Sequence, residues 1–425
     1  MNSTALVFCS VLLCLTAGPS VEVVTVRGKP QLVEHSKAWL ETERTSELVG
    51  EVLKGELVKV DQSQVWVKCG GKQQSVPVSQ VLRLLFQDAE QLPVCLGEPT
   101  SGVIVRFTDG GRLWVDSVEI KSGQATLHSK ELGTLSLPAE AIRSLRFLKA
   151  ENTKLTAEWE KLLNRNLQSD AIVVSKESRK GDRRKILDHI AGAVGDIQNQ
   201  TVQFLLENEV LQIKQEKLFG ILFYRRKKPL SETSFQCRLL LKQCGSLPAL
   251  NVTTTDDKLT ATVLWGRLTV PLSAVDSIDY SLGNVRFLSE LKPSRVDYTP
   301  YFDIVWKFKR DRNLDGGRLQ LDGRTFQHGL CIHSRTVLEY DLNGEYRRLW
   351  AVTGIDQAVR PLGHVHLVLE GDGRKLYDST VTGTDPPRVL DLDVSGVDTL
   401  RITVDFGKFM DIADHLDLCD AKLLK

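Results

Sequence analysis

The chain is expected to be mainly β, with several small barrel-like units followed by a larger β-sandwich. Three observations lead there. Apolar and polar residues alternate over long stretches, as at Val103, Val105 and Phe107, which is the period of a strand with one buried face. A closing motif, a proline-marked turn followed by a short apolar run, recurs along residues 40–285. From residue 316 onward, apolar runs are separated by turn residues with no helical period, the pattern of a sandwich.

At 425 residues the chain exceeds one ordinary core. A hydrophobic content of 42% and a charged content of 26% are those of a folded protein. Lys+Arg 55 against Asp+Glu 54 leaves a net charge of +1, so there is no global field to draw in a phosphate backbone, and nucleic acid is not an expected partner.

The first 20 residues carry no charge, and Ala5 to Ala17 is an apolar run followed by Gly18-Pro19-Ser20. That length fits the apolar core of a signal peptide and is too short to span a bilayer. The expectation is a secreted or periplasmic protein with no membrane span in the mature chain. Outside this leader lie Cys69, Cys95, Cys237, Cys244, Cys331 and Cys419, none in a C-x-x-C pair, which argues against a zinc ribbon or thioredoxin site. An even count in an exported chain permits disulfides.

The repeat is clearest at Gly102–Val115, with a hairpin turn at Asp109-Gly110, closing at Leu135-Ser-Leu-Pro-Ala-Glu-Ala-Ile-Arg-Ser-Leu-Arg-Phe147. The same ending recurs at Ser75–Phe86 and Thr269–Tyr280, and without proline at Ile213–Phe223. A spacing of about 60–75 residues lies in the range of repeat arrays once loops are added. Four units of about five short strands result. Their order of turn, long strands, proline and closing strand resembles SH3 and Sm-like barrels. The expected boundaries are 1–20 for the signal peptide, 21–90 and 95–148 for the first two units, 149–168 for a connector helix, 169–228 and 229–283 for the third and fourth units, and 284–425 for the sandwich. The helix is read from Leu155, Trp159, Leu162 and Leu163, which fall on one helical face. Basic clusters at Lys176–Lys185 and Arg225–Lys228 read as solvated tips.

Within 284–425, strands are expected at 317–321, 325–332, 335–341, 346–354, 363–370, 374–379, 388–393, 398–405 and 417–424, with hairpins at Asp322-Gly323 and Asp372-Gly373. On the strand from Tyr346, Leu349, Ala351, Thr353 and Ile355 are assigned to the core, and Tyr346, Arg348, Trp350 and Val352 to the other face.

Three segments carry a resemblance. They are Gly329-Leu-Cys-Ile-His-Ser-Arg-Thr-Val-Leu-Glu-Tyr-Asp-Leu342, Tyr346-Arg-Arg-Leu-Trp-Ala-Val-Thr-Gly-Ile-Asp356 and Asp414-His-Leu-Asp-Leu-Cys-Asp-Ala-Lys-Leu-Leu424, with Asn284–Pro293 ahead of them. In this order and spacing they resemble the NPCBM family of carbohydrate-binding modules. The resemblance implies a jelly roll of the galactose-binding type and a glycan or polysaccharide as partner. Trp350, on the outward face of its strand, is a candidate stacking platform or else lies under a loop or against the neighbouring barrel, and His333, after a strand, is a further sugar-binding candidate or a satisfied buried histidine. The resemblance implies Asp356, His415 and Asp417 in or near the loops at one end. There they would bond hydroxyls or hold a structural cation such as calcium, or else cap turns. It also brings Cys331 and Cys419 onto neighbouring strands, where they would form a disulfide. The family usually places Trp near the position held by Leu418, so this chain lacks one family aromatic.

No G-x-S-x-G, H-E-x-x-H, Walker loop or G-x-G-x-x-G is present, so no enzyme is expected, and no cofactor beyond that structural calcium. His364 and His366 share a strand face without a third metal ligand nearby, and Asp391/Asp393 and Asp256/Asp257 are ordinary acidic pairs. The reading is an exported non-catalytic carbohydrate-binding protein. The alternative is a structural or protein-interaction protein of the cell envelope whose jelly roll binds no sugar.

Overall fold

The computed structural model describes residues 18–36, 44–87, 100–149, 155–165, 167–177, 185–225, 235–242, 245–300 and 305–425. The apolar leader at 5–17, Cys95, Cys244 and most of both basic clusters lie outside the described residues. The fold is mainly β.

Four consecutive units share one topology. In the first, Ser20–Thr25 pairs antiparallel with both Val52–Val60 and Val81–Gln87, and Gln64–Cys69 and Lys72–Pro77 continue the meander. A 3₁₀ turn at Val78–Gln80 joins the fourth strand to the fifth. The same order recurs from Gly102 to Leu148, from Asp170 to Leu222 and from Cys237 to Asp279. Proline explains the recurring turn. Pro77, Pro138 and Pro271 precede it with φ of -54°, -62° and -65°, the value the ring enforces. The third unit has Lys214 at this point, and it adopts φ -65° and ψ 134°. The surrounding strands impose the turn there without help from the ring.

The closing strands join units in pairs. Leu84 faces Ile278, linking the first unit to the fourth, and Leu145 faces Ile221, linking the second to the third. One apolar cluster, from Val21 to Tyr280, runs through all four. The helix Thr156–Leu163 buries Trp159, Leu162 and Leu163 against Phe219, Ala171 and Val173. Each such side chain taken from water contributes about 1.5–3 kcal/mol.

The first unit carries an extra hairpin. Gln31–Ser36 pairs with Arg44–Val49, and the two form a sheet separate from the other strands of the unit.

The C-terminal part is a two-sheet sandwich. One sheet runs Lys309–Arg310, Gly329–His333, His415–Leu424, Arg348–Ile355 and Arg388–Asp393, with Val285–Phe287 beside the final strand. The other runs Arg295–Tyr298, Thr336–Asp341, Thr399–Phe406, His364–Gly371 and Arg374–Thr382. Leu330, Leu338, Leu349, Leu367, Ile402 and Leu416 fill the space between them. Asp322-Gly323 and Asp372-Gly373 turn their hairpins with two successive positive φ values, the backbone that matches strand twist. The expected strand 325–332 is two strands, Arg324–Phe326 and Gly329–His333, belonging to different sheets. Leu349, Ala351 and Ile355 do face the core, but Tyr346 joins them there instead of lying on the other face.

The outer face of the first sheet is not open to solvent. Trp350, Val352, Cys331, Cys419 and Leu424 point outward into a second apolar cluster. Its roof is Leu314, Leu319, Leu321 and Phe326 of the sandwich, together with Leu48 and Val49 of the extra hairpin.

Candidate functional site

The residues singled out in the sequence lie on three adjacent strands of the first sheet. His333 faces His415, Cys331 faces Asp417, and Gly354 faces Asp417 from the other side. Asp356 directly follows the strand Arg348–Ile355, and its N–H donates to the His415 carbonyl at 2.9 Å. All five candidate residues are buried.

Trp350 sits at the opposite end of its strand from Asp356 and is completely enclosed. Its Nε1 donates to Asp391 Oδ1 at 2.9 Å, and the Arg348 guanidinium lies 5.0 Å from the ring centroid. The expectation that it faces away from the sandwich core holds. The expectation of a stacking platform does not, because the outer face is roofed and no ring surface is left for a sugar.

Asp356 Oδ1 accepts the Ala358 N–H at 2.9 Å and the Asn313 side-chain amide at 3.3 Å, fixing the turn that follows the strand. Asp417 lies beside Asp356 and Cys331 with no solvent access. Burial, reinforced by the charge of Asp356, pushes its carboxyl well above the ordinary range. These two carboxyls organise the interior of the sheet and offer nothing to a ligand outside it.

The expected Cys331–Cys419 disulfide is not formed, and both are free thiols. Their strands are neighbours, but Cys331 pairs with Asp417 and Cys419 with Gly329, so the two sulfurs stand diagonally. Diagonal positions lie about 7–8 Å apart, beyond disulfide reach. Burial raises both thiols well above their usual range.

At the His333 end the buried imidazoles meet aromatic rings. The Trp306 ring stacks on His333 at 5.6 Å and 12°, and lies 5.3 Å from His415. Tyr298 meets His333 edge-on at 6.3 Å. Trp306 and Tyr298 are half-buried. Burial lowers the pKa of both imidazoles, which leaves them neutral at neutral pH, each with one donor and one acceptor nitrogen.

The loop 407–413 borders this cluster. The Gly407 N–H donates to the His364 carbonyl at 2.7 Å, the Lys408 N–H donates to His364 Nδ1 at 3.1 Å, and the Asp411 main chain reaches the His333 ring. The loop shows Phe409 72% exposed and Ile412 54% exposed. Phe409, Met410 and Ala413 have φ of 71°, 58° and 60°, a left-handed backbone that bulky residues adopt only when their surroundings impose it. Asp414 closes the loop, its Oδ1 accepting the His364 N–H at 3.0 Å, and burial pushes its carboxyl up to about 6.

Of the sequence candidates, His333 and His415 lie buried against Trp306, Asp356 and Asp417 lie buried beside them in the same sheet, and Trp350 is remote. Sequence reasoning missed Tyr298, Trp306 and Phe409. The aromatic density of Tyr298-Thr-Pro-Tyr-Phe-Asp-Ile-Val-Trp306 was the available signal. His364 and His366 are engaged elsewhere, His364 by the Lys408 N–H and His366 by Asp378 Oδ1 at 2.6 Å. Among the described residues, no group of three or more His, Cys, Asp or Glu side chains is placed to hold a metal ion.

Residues 284–424 match the family model of the NPCBM/NEW2 domain. No curated protein matches the chain. Among solved structures, the chain is similar to a CBM51 module of a Clostridium perfringens GH95 protein, in complex with methyl-galactose. The identity is 23%, over 33% of this chain and 99% of that chain, with a TM-score of 0.30. It is also similar to the tandem CBM51 modules of Sp3GH98, a family 98 glycoside hydrolase from Streptococcus pneumoniae SP3-BS71. There the identity is 12%, over 76% of this chain and 88% of that chain, with a TM-score of 0.30. The match to the NPCBM/NEW2 family model thus falls on the sandwich, and the four joined β units precede it.

Proposed function

We propose that the chain is an exported, non-catalytic carbohydrate-binding protein, and that its NPCBM/NEW2 domain takes a glycan at the mouth formed by Tyr298, Trp306, His333, His415 and the loop 407–413. One observation carries this reading: aromatic surface next to neutral imidazoles held on paired strands. A pyranose presents an apolar C–H face and a rim of hydroxyls. Trp306 and Phe409 supply apolar surface for the first, and the buried imidazoles of His333 and His415 beneath Trp306 hold its ring in place. The four joined units act as a rigid support. Among the described residues, no helix is long and apolar enough to cross a membrane.

The burial of Trp350 favours a second reading, a structural or protein-interaction role without sugar binding. A glycan array probed with the full chain, Trp306→Ala and Phe409→Ala separates the two. The carbohydrate reading expects retention by the parent chain and loss in both variants. Absence of retention on every glycan, with and without calcium, leaves the structural reading. Retention unchanged in both variants places the site elsewhere.

A further inference from the structure

The final strand of the sandwich carries two buried charges, Asp420 and Lys422, that pair with each other at 3.1 Å and also reach outside their own domain. At Asp420 the backbone turns left-handed, with φ 50°, where pairing with the neighbouring strand shifts between Trp350 and Val352. Asp420 and Lys422 then grip one residue of the first unit by its main chain. Asp420 Oδ2 accepts the Leu48 N–H at 2.6 Å, and Lys422 Nζ donates to the Leu48 carbonyl at 2.8 Å. Leu48 itself is wholly buried in the roof over Trp350 and Cys419. Glu47 completes the grip, with Oε1 3.3 Å from Lys422 Nζ and Oε2 2.5 Å from Arg83. A third tie comes from Arg348 Nη1, which donates to the Gly28 carbonyl at 3.2 Å.

Lys422 is 1% exposed, and an ammonium in such a place is tolerated only when paired and hydrogen-bonded. Glu47 and the Leu48 carbonyl, which it meets, belong to the extra hairpin, whereas Asp420 and the Phe287 ring belong to the sandwich. A cavity of about 150 Å³ adjoins the grip, but its charged walls already pair with one another, Glu47 with Arg83 and Asp420 with Lys422, so it does not ask for a ligand.

We infer that the outer sheet of this sandwich is a docking surface that reads the backbone of an extended strand, and that its occupant is Arg44–Val49 of the same chain. The hairpin is a latch. It makes the first unit and the sandwich one cooperative body and fixes the direction in which the mouth at Trp306 points. This inference does not depend on what the mouth binds.

Hydrogen exchange of the full chain, resolved by segment, tests it. In Leu48→Asp the latch strand Arg44–Val49 and the final strand His415–Leu424 should lose protection together, by about tenfold or more, while Gly133–Pro138 of the second unit is unchanged. A final strand that keeps wild-type protection in that variant overturns the latch. If Leu48→Asp loses protection in every segment, Lys422→Met gives the answer from the other side. The inference expects faster exchange at Arg44–Val49, and undisturbed protection there overturns it.

Discussion

Trp350 Nε1 and Asp391 Oδ1 are 2.9 Å apart on directly opposed positions of neighbouring strands, and Arg348 binds both oxygens of the same carboxylate. The indole is therefore fixed at its polar edge, stacked by a cation on one face and enclosed by the roof. Its role is to hold the outer layer in place.

Trp350→Ala should destabilise the chain by about 3–5 kcal/mol, the range for an emptied aromatic site in a core. Trp350→Phe keeps most of the volume and strands the Asp391 bond, a loss of about 1–2 kcal/mol. Denaturant midpoints check both values. Where either variant remains folded, glycan retention should equal that of the parent chain, and a selective loss of retention contradicts the assignment.

Phe409 makes a contrasting case, because its exposure and its left-handed backbone act in opposite directions. Phe409→Gly relieves a φ of 71° that costs a bulky residue about 1–2 kcal/mol, so the folded state should gain stability by up to that amount. The same change removes an aromatic face from the mouth, worth about 1–1.5 kcal/mol, or roughly tenfold in Kd. Thermal melts and glycan titration of one variant should therefore move apart. Parallel losses of stability and binding place Phe409 in the packing of the loop instead.

The thiols give a third test. Cys331 and Cys419 are buried and free, and burial pushes the Cys237 thiol up to about 12. Native chain treated with an alkylating agent at pH 8 should show these three cysteines unmodified, since the thiolate is the reactive form. After denaturation without reductant all three should be modified. Peptide mapping that finds Cys331 joined to Cys419 overturns the free-thiol arrangement.

What the sequence could convey follows from the range of each interaction. Alternation and Asp-Gly turns are local, so the β class and strands such as Arg388–Asp393 could be read directly. Alternation also assigned Trp350 correctly to the face turned from the core. It could not show that a hairpin some three hundred residues earlier covers that face, because the pattern of Gln31–Ser36 and Arg44–Val49 resembles any surface hairpin. The Cys331–Cys419 pairing failed by register alone, since the resemblance suggested neighbouring strands but not the two-residue offset between the two cysteines. His333 and His415 came from family segments, whereas Trp306 lies outside them and enters the mouth through its own loop.

Gly220 tests the joining of the second and third units. A Cβ there would meet the Leu145 carbonyl oxygen at 2.5 Å and the Trp159 ring at 2.6 Å, both on rigid neighbours. Gly220→Ala should therefore destabilise by about 2–3 kcal/mol through overpacking. Trp159 fluorescence should report the change, and exchange should rise in Ile142–Leu148 and Asp170–Glu177, the two strands that flank Gly220–Leu222. A wild-type denaturation midpoint would show that the helix Thr156–Leu163 can shift to make room.

Asp414 fixes the sign of a pH effect at the mouth. Its folded pKa of about 6 lies above the value of about 3.9 for an unfolded aspartate, so the folded state holds the proton more tightly. Its contribution to stability is fully present below about pH 4, is lost as pH rises toward 6 and is absent above that. Asp414→Asn keeps an acceptor for the His364 N–H and cannot ionise. Its stability relative to the parent should therefore climb by about 1–2 kcal/mol between pH 4 and 6, allowing for partial solvent screening, and stay level above. His333 and His415 act in the opposite sense: burial lowers them, so their share is present above about pH 6.5 and is lost as pH falls. Both proteins retain those imidazoles, so their share largely cancels in the difference. Urea midpoints measured from pH 4 to 7.5 give the curve, and a difference that is flat with pH means that Asp414 titrates as an ordinary surface carboxyl.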